Sequence, residues 1–202
     1  MIVKQILVGS MANFTYIIID EKSKLAAVVD PSWDLENVLN MLKINNLKLK
    51  YIINTHTHFD HVLGNEQLVT LTGAETIMHK NSQLDKNIIV NDNDVIKLGN
   101  LNIKVIYTPG HSKDGICLFV ENKLFCGDTL FVGSCGRIDL PGGSTSELYD
   151  SLFDILIKLD DDIEIYPGHD YGNKPVSTIG DEKKNNPVLK PRTKEEFLFF
   201  MG

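Results

Sequence analysis

Four side chains that commonly bind metals lie close together, at His56, His58, Asp60 and His61. They fall within six residues, directly after an apolar run that ends at Ile53. Imidazole and carboxylate groups are the usual protein ligands of zinc, iron and manganese. Because a hydrophobic core would not tolerate so many polar groups without partners, the cluster predicts one part of a metal site.

Three further candidate ligands follow other apolar, strand-like runs. The run IKVIY leads through Thr-Pro-Gly to His111, KLFC leads through a glycine to Asp128, and IEIY leads through Pro-Gly to His169. Strand ends lie together along one edge of a sheet, where loops on a rigid scaffold carry functional groups. We therefore expect these three residues to meet the histidine-rich loop.

Seven ligands are more than a closed structural zinc site needs, since such a site has four ligands and is usually rich in cysteine. Two metal ions that share a carboxylate would use all seven ligands and still leave coordination positions open. A metal lowers the pKa of a bound water from about 15.7 to about 7, which gives hydroxide at neutral pH. The set therefore predicts a metal-dependent hydrolase that uses a metal-bound hydroxide. The non-enzymatic alternative, a structural or scavenging metal module, would need a closed site.

Short strands must position these ligands. Apolar and β-branched runs predict strands in the first two thirds of the chain, after a first strand at the N-terminus. These runs are Tyr16–Asp20, Leu25–Asp30, Tyr51–Ile53, Ile103–Tyr107, Ile116–Val120 and Lys123–Cys126.

Helical spacing of apolar residues appears in two places and a capping pattern in a third. The predicted helices lie near residues 35–42, near residues 148–159 after Ser144 and Glu147, and after Thr193 and Glu196. No low-complexity linker divides the chain. We therefore expect an α/β fold of mixed sheets covered by helices, in a single domain over residues 1–202.

The charge and composition of the chain exclude some classes of binding partner. The chain has 202 residues and a formal net charge of −7 with no basic block, which argues against nucleic acid or an anionic membrane as a partner. No apolar stretch approaches the roughly 20 residues of a membrane helix. The N-terminus does not resemble a signal peptide, and three cysteines without a CxxC pair suit the cytoplasm. We expect a cytoplasmic enzyme that acts on a small molecule, with a homodimer as an open alternative.

The motif THTHFDH resembles the HxHxDH signature of the metallo-β-lactamase superfamily, and GH at His111, GD at Asp128 and GH at His169 complete the pattern in order. The resemblance implies a four-layer αββα sandwich with the metal site at one edge. It also implies a first metal on His56, His58 and His111, and a second on Asp60, His61 and His169. Asp128 would bridge the two ions, and Asp60 would also orient the attacking hydroxide.

Two branches of this superfamily remain open. The segment LFVGSCGRIDLPGG resembles glyoxalase II-like thioester hydrolases, which implies two divalent ions, first of all zinc, with iron or manganese as alternatives. Only residues 170–202 follow His169, so the helical domain that binds glutathione in those enzymes is expected to be missing. A glutathione-derived thioester is therefore one candidate substrate among other thioesters.

The C-terminal segment and the Cys-Gly-Arg at residues 135–137 resemble persulfide dioxygenases instead. That resemblance implies a single iron on residues matching His56, His111 and Asp128. A lactonase or another esterase of the same fold is a further alternative.

Other residues receive weaker assignments. A guanidinium fork suits a carboxylate, so Arg137 is expected to bind a substrate anion, and Tyr171 is expected to line the pocket. Asp170 is a candidate partner for His169, because metal-bound histidines usually need one. Cys135 is not expected to act as a nucleophile, since the motif histidines are already assigned to metal. The remaining assignments are Asp30 as a supporting residue and His79 as a structural or surface residue.

Overall fold

Two sheets face each other in the computed structural model, which describes residues 1–190 and 192–202. The first sheet contains six strands in sequence order. Its first three strands are antiparallel neighbours, and the remaining pairs are parallel. The strands are β1 (Ile2–Val8), β2 (Asn13–Asp20), β3 (Leu25–Val29), β4 (Lys48–Ile53), β5 (Glu75–His79) and β6 (Ile88–Val90).

The later strands are β7 (Val95–Leu98), β8 (Leu101–Tyr107), β9 (Ile116–Val120), β10 (Lys123–Gly127), β11 (Leu130–Phe131), β12 (Ser134–Cys135), β13 (Glu164–Pro167) and β14 (Ser177–Thr178). Six of them form the second sheet, in the order β14-β13-β10-β9-β8-β7. In this sheet only β10 and β13 pair in parallel among the described residues. Strands β11 and β12 form a separate two-stranded ribbon.

The helices are α1 (Leu35–Ile44), α2 (Phe59–Val62), α3 (Asn65–Thr72), α4 (Thr145–Tyr149), α5 (Ile179–Asn185) and α6 (Lys194–Met201). A π-helical segment (Asp150–Ile155) and a 3₁₀ turn (Leu156–Lys158) continue α4, and a second 3₁₀ turn spans Pro187–Leu189.

Strand alternation sorts the apolar side chains into separate layers of core. Along β2, Tyr16 and Ile18 point between the two sheets, whereas Ile17 and Ile19 pack toward α1 and α3. A third cluster fills the space between the second sheet and the helices of the C-terminal part, with Leu148 and Phe197 fully buried. Both sheets are thus covered on both faces. The predicted αββα sandwich is confirmed.

The prediction for residues 148–159 needs a correction. The regular α-helix ends at Tyr149 and widens into π-helical turns. Leu148, Leu152 and Leu156 are nevertheless all fully buried. Their spacing of four residues keeps them on one face of a wider turn, so the sequence predicted the buried face and missed the helix type.

The N-terminal caps of two helices agree with the sequence predictions. The hydroxyl of Ser144 accepts a hydrogen bond from the backbone N–H of Glu147. Thr193 and Glu196 form the complete capping box predicted for α6. Within the described residues no helix is long and apolar enough to cross a bilayer.

Candidate metal centre

Four strand ends deliver the candidate ligands to one place. His56 follows β4 of the first sheet, while His111, Asp128 and His169 follow β8, β10 and β13 of the second sheet. The motif residues after His56 enter the short helix α2, which contains Asp60 and His61. The convergence expected from the sequence is therefore present at the edge where both sheets end.

One side of the centre is a group of three imidazoles. His56, His58 and His111 each offer a ring nitrogen, and these nitrogens all lie within 4.8 Å of one another. His111 Nε2 and His58 Nδ1 are 2.8 Å apart. His56 and His111 are buried and His58 is half-buried.

The other side combines one carboxylate with two imidazoles. Asp60, His61 and His169 also offer ligand atoms within 4.8 Å of one another, and all three are buried. The Nε2 atoms of both histidines lie 3.4 Å from Asp60 Oδ2 and 3.2 Å from each other.

Asp128 lies between the two groups. Its Oδ2 is 3.5 Å from His111 Nε2 on one side and 3.2 Å from His169 Nε2 on the other. Its Oδ1 is 3.4 Å from His61 Nε2. A single carboxylate thus contacts residues of both groups, which is the position that the resemblance implies for a bridging ligand.

Backbone carbonyls fix the orientation of two histidine rings. His111 Nδ1 lies 2.7 Å from the carbonyl oxygen of Arg137, and His169 Nδ1 lies 2.9 Å from that of Met11. A carbonyl can only accept, so each Nδ1 must donate its proton, and Nε2, which faces the centre, is the ligand atom that the neutral ring offers. This arrangement is typical of metal-binding histidines.

Asp30 supports two more rings. Its Oδ2 lies 3.1 Å from His61 Nδ1 and accepts a hydrogen bond of 2.6 Å from the hydroxyl of Thr55. Because that hydroxyl donates to Asp30, it accepts from His56 Nδ1, 3.2 Å away. The supporting role expected for Asp30 therefore extends to His61 directly and to His56 through Thr55.

The electrostatics differ between the two sides. Burial lowers the pKa of His56 far below its usual value and lowers the pKa of His58 as well, so both imidazoles are neutral at pH 7. Burial also acts to lower the pKa of His61, but the carboxylates of Asp128 and Asp30 outweigh it and raise that pKa to about 9. Burial would raise the pKa of Asp128, yet His61 and the other imidazoles around it hold that pKa well below the usual range.

Two buried atoms test whether metal ions fit here. His56 Nε2 and Asp128 Oδ1 have no hydrogen-bond partner within residues 1–190 and 192–202. Leaving such atoms unpaired is costly, and both belong to the seven-residue set. The donor set consists of imidazole and carboxylate groups, which suits zinc, iron or manganese. The residues therefore fit a metal centre, with Nε2 of His56 and Oδ1 of Asp128 as natural ligand atoms.

A pocket of about 550 Å³ opens onto the centre; we call it the catalytic pocket. Its wall includes the candidate ligands His58, Asp60, His111, Asp128 and His169. The rest is largely apolar, with side chains from Met11, Phe59, Phe131, Leu140 and Tyr171. The centre is thus reachable by a small molecule that carries an apolar group.

Arg137 and Tyr171 both line this pocket. The Arg137 guanidinium makes two hydrogen bonds, of 2.6 and 2.5 Å, to the carboxylate of Asp139. A substrate anion would have to compete with that carboxylate. Tyr171 stacks on the ring of His169 with a centroid distance of 4.6 Å and an interplanar angle of 11°.

Sequence reasoning missed Asn13. This asparagine is buried, and its Nδ2 donates to Asp60 Oδ2 at 2.8 Å and to the backbone oxygen of Asp60 at 3.2 Å. Both amide hydrogens are therefore used to hold one candidate ligand. Asn13 also forms an isolated antiparallel bridge with His169. No local motif marks it; its position at the start of β2 opposite the centre becomes visible only in three dimensions.

Three other assignments can now be compared with the structure. Asp170 is exposed, and the Met11 carbonyl takes the place expected for it beside His169 Nδ1. Cys135 lines the catalytic pocket, but burial raises the pKa of its thiol to about 12, which is unfavourable for a nucleophile. His79 is buried and stacks on Tyr107 with a centroid distance of 4.2 Å, in keeping with a structural role.

Comparison with known proteins places this geometry in a family. The model of the metallo-beta-lactamase superfamily matches residues 9–87 and 82–169. A probable polyketide biosynthesis zinc-dependent hydrolase, PksB of Bacillus subtilis, is 34% identical over 93% of this chain and 86% of its own length. A hydroxyacylglutathione hydrolase of Pelagibacter ubique is 36% identical over 90% of this chain and 77% of its own.

Similarity extends equally to a second kind of enzyme. The human mitochondrial persulfide dioxygenase ETHE1 is 34% identical over 94% of this chain and 76% of its own. The crystal structure of ETHE1 from Myxococcus xanthus superposes with a TM-score of 0.95 at 35% identity, covering 100% of this chain and 90% of the other. Proteins named as hydrolases and as a dioxygenase are thus both similar to most of this chain. The chain belongs to the metallo-beta-lactamase superfamily.

Proposed function

We propose that this protein hydrolyses small-molecule thioesters at a two-metal centre, in the manner of glyoxalase II. One observation carries the proposal: two three-residue groups that share no residue, each able to hold a cation, are joined by the carboxylate of Asp128. A single ion would occupy only one of these two groups and leave the other group empty.

The assignment of ligands follows the two groups. His56, His58 and His111 would hold one ion, Asp60, His61 and His169 the other, and Asp128 both. Divalent ions held there would activate water near neutral pH and polarise the thioester carbonyl. Zinc is the proposed metal, since the similar PksB is described as zinc-dependent.

The chain's own residues have distinct tasks in the reaction. The water adds its oxygen to the acyl carbon, the C–S bond breaks, and the thiol leaves with a proton. Asp60 orients the water and accepts a proton from it, and Asn13 holds the Asp60 carboxylate in place. Tyr171 and Arg137 would contact the substrate in the catalytic pocket.

The substrate class rests on similarity as well as on the pocket. The relative from Pelagibacter ubique is named for a glutathione thioester, so glutathione-derived thioesters are the first candidates to assay. All three cysteines are free, which supports a reducing compartment such as the cytosol as the place of action.

Elemental analysis of the protein as purified, together with thioester and oxygen assays, tests the proposal. We expect two metal ions per chain, release of thiol from thioesters and no uptake of O₂. One iron per chain with O₂ uptake on glutathione persulfide would replace the proposal with the second candidate.

That second candidate is a mononuclear iron persulfide dioxygenase. A specific observation favours it, namely the TM-score of 0.95 with an ETHE1 structure over the whole chain. It would use His56, His111 and Asp128 for one iron. Hydrolysis of lactones or simple esters without thioester turnover would point to a third alternative of the same fold.

A further inference from the structure

A second, smaller pocket adjoins the centre on the side of His58. It encloses about 260 Å³ and shares His58 and Pro141 with the catalytic pocket; we call it the polar pocket. Apart from Pro141 and Gly142 its lining is polar: Thr57, Asn81, Gln83, Ser112, Lys113 and Asp114. The two pockets therefore differ in chemistry, although the same histidine borders both.

Lys113 supplies the exposed charge of the polar pocket. Its side chain is exposed, and it forms no ion pair with any residue that the structure describes. Its backbone is held firmly, because its carbonyl accepts hydrogen bonds from Tyr107 Oη at 2.8 Å and from Asn81 Nδ2 at 3.1 Å. The backbone of Lys113 is thus fixed at the pocket, and its unpaired ammonium group is available to an anion.

The other charge in the wall is already engaged. Asp114 is buried, and its Oδ2 accepts a hydrogen bond of 2.5 Å from the hydroxyl of Thr57. That bond joins the turn between His56 and His58 to the loop that carries His111. Asp114 therefore builds the wall, and Lys113 is the charge presented to a ligand.

The catalytic pocket lacks an equivalent free cation among the described residues. Its one guanidinium, that of Arg137, already binds Asp139 through two hydrogen bonds. The remainder of that pocket is mainly apolar. A substrate with one apolar limb and one anionic limb would match the pair of pockets.

We propose that the polar pocket is a second substrate subsite, in which Lys113 binds a carboxylate of the thioester while the other limb occupies the catalytic pocket. The inference rests on the proposed thioester hydrolysis. The carboxylate could belong to the acyl group or to the carrier thiol, and the test below separates these sources.

Matched substrates measure the contribution of Lys113. The butanoyl and succinyl thioesters of N-acetylcysteamine have acyl chains of equal length, and only the second carries a carboxylate. Lys113→Gln should lower the ratio of their kcat/KM values, succinyl over butanoyl, by about five- to tenfold through KM, as expected for the loss of one hydrogen bond of ordinary strength. Lys113→Glu should lower it further, and Lys22→Gln, in the exposed β2–β3 turn, should leave the ratio unchanged.

A second comparison uses S-butanoylglutathione, whose carboxylates lie on the carrier thiol and not on the acyl group. If Lys113→Gln lowers the ratio of S-butanoylglutathione over the butanoyl thioester of N-acetylcysteamine instead, the carrier occupies the polar pocket. A change below twofold in both ratios would overturn the subsite.

A binding measurement is independent of turnover. Succinate added to the zinc-loaded protein should shift the side-chain amide resonances of Asn81 and Gln83, and Lys113→Gln should abolish the shift. If these resonances do not move in the unsubstituted protein, the subsite is wrong whatever the kinetics. If no thioester is hydrolysed, the proposed function fails, and the amide shifts still decide whether the pocket binds a carboxylate.

Discussion

At the scale of single residues, the centre depends on how each ligand is held as much as on which ligand is present. The imidazoles of His111 and His169 are oriented by carbonyl oxygens from distant loops, and His61 is oriented by Asp30. Partners of this kind typically change metal affinity or activity by about 10- to 100-fold when removed. The same logic applies to Asn13, which donates both amide hydrogens to Asp60.

Asn13→Ala should therefore release the Asp60 carboxylate. We expect thioester hydrolysis to fall by about 10- to 100-fold, and the metal on the Asp60 side to bind more weakly than the metal on the His56 side. Titration of zinc into the metal-free protein would resolve the two affinities. Asn102→Ala, at an exposed position of the otherwise largely buried β8, is the matched control and should leave both affinities unchanged. Equal affinities in Asn13→Ala and the unsubstituted protein would contradict a positioning role.

Asp60→Asn tests the proton-accepting role itself. The amide preserves the shape of the carboxylate but cannot take a proton from water, so we expect a loss of at least about 100-fold in kcat. Most of the metal should remain when zinc is supplied in excess, as measured by elemental analysis after gel filtration. His56→Ala is the contrasting variant and should lose both metal and turnover. Full activity in Asp60→Asn would exclude this role for Asp60.

At the scale of elements, the ligands meet because four strands end at one edge and their loops pass very close together. The loop after β13 shows this most clearly. A Cβ placed on Gly168 would overlap Asp128 Oδ1 and would lie 3.0 Å from His61 Cε1. Glycine is required there because the backbone itself passes against two candidate ligands.

Gly168→Ala should consequently displace Asp128 and His61. We expect a destabilisation of about 1–3 kcal/mol from overpacking, together with weaker zinc binding and loss of hydrolysis. Urea denaturation and zinc titration would measure the two effects separately. Gly73→Ala, at the left-handed C-terminus of α3 with nothing within 4 Å of the added Cβ, should lose stability but retain zinc binding. Unchanged zinc affinity in Gly168→Ala would show that the loop after β13 can shift without displacing the candidate ligands.

At the scale of the whole molecule, the centre connects the two sheets. His56 belongs to a loop of the first sheet, whereas His111, Asp128 and His169 belong to the second. An ion held by residues of both sheets would bind the folded chain and not the unfolded one. Such binding stabilises a protein by about 4 kcal/mol when the free ligand is at 1,000 times its dissociation constant.

Removal of metal should therefore lower the melting temperature. With zinc near that excess, we expect EDTA to reduce Tm by roughly 10 °C for a chain of this size. Differential scanning fluorimetry with and without EDTA checks this, and added zinc should restore the original value. The His56→Ala variant should show a smaller shift than the unsubstituted protein. A Tm that does not respond to EDTA would mean that no ion links the sheets.

The sequence also specified much of the framework around the centre. The apolar, β-branched run Tyr16–Asp20 and the helical spacing of Leu35–Leu42 predicted elements that the structure contains, because both patterns report buried surface. The turn to π-helix after Tyr149 was not predictable, since the same leucine spacing suits either helix.

What the sequence determined by itself is the list of seven candidate ligand residues and the family to which the chain belongs. Their types, their spacing and the short turns before them are local properties, because they involve only residues that are close together in the sequence. The tertiary structure alone decided which groups orient them and which pockets flank them. Asn13 lies 47 residues from Asp60, and the wall of the polar pocket joins Thr57 to Asp114, 57 residues away. Contacts between such distant residues leave no periodic trace in a sequence, because they depend on how the two sheets pack together.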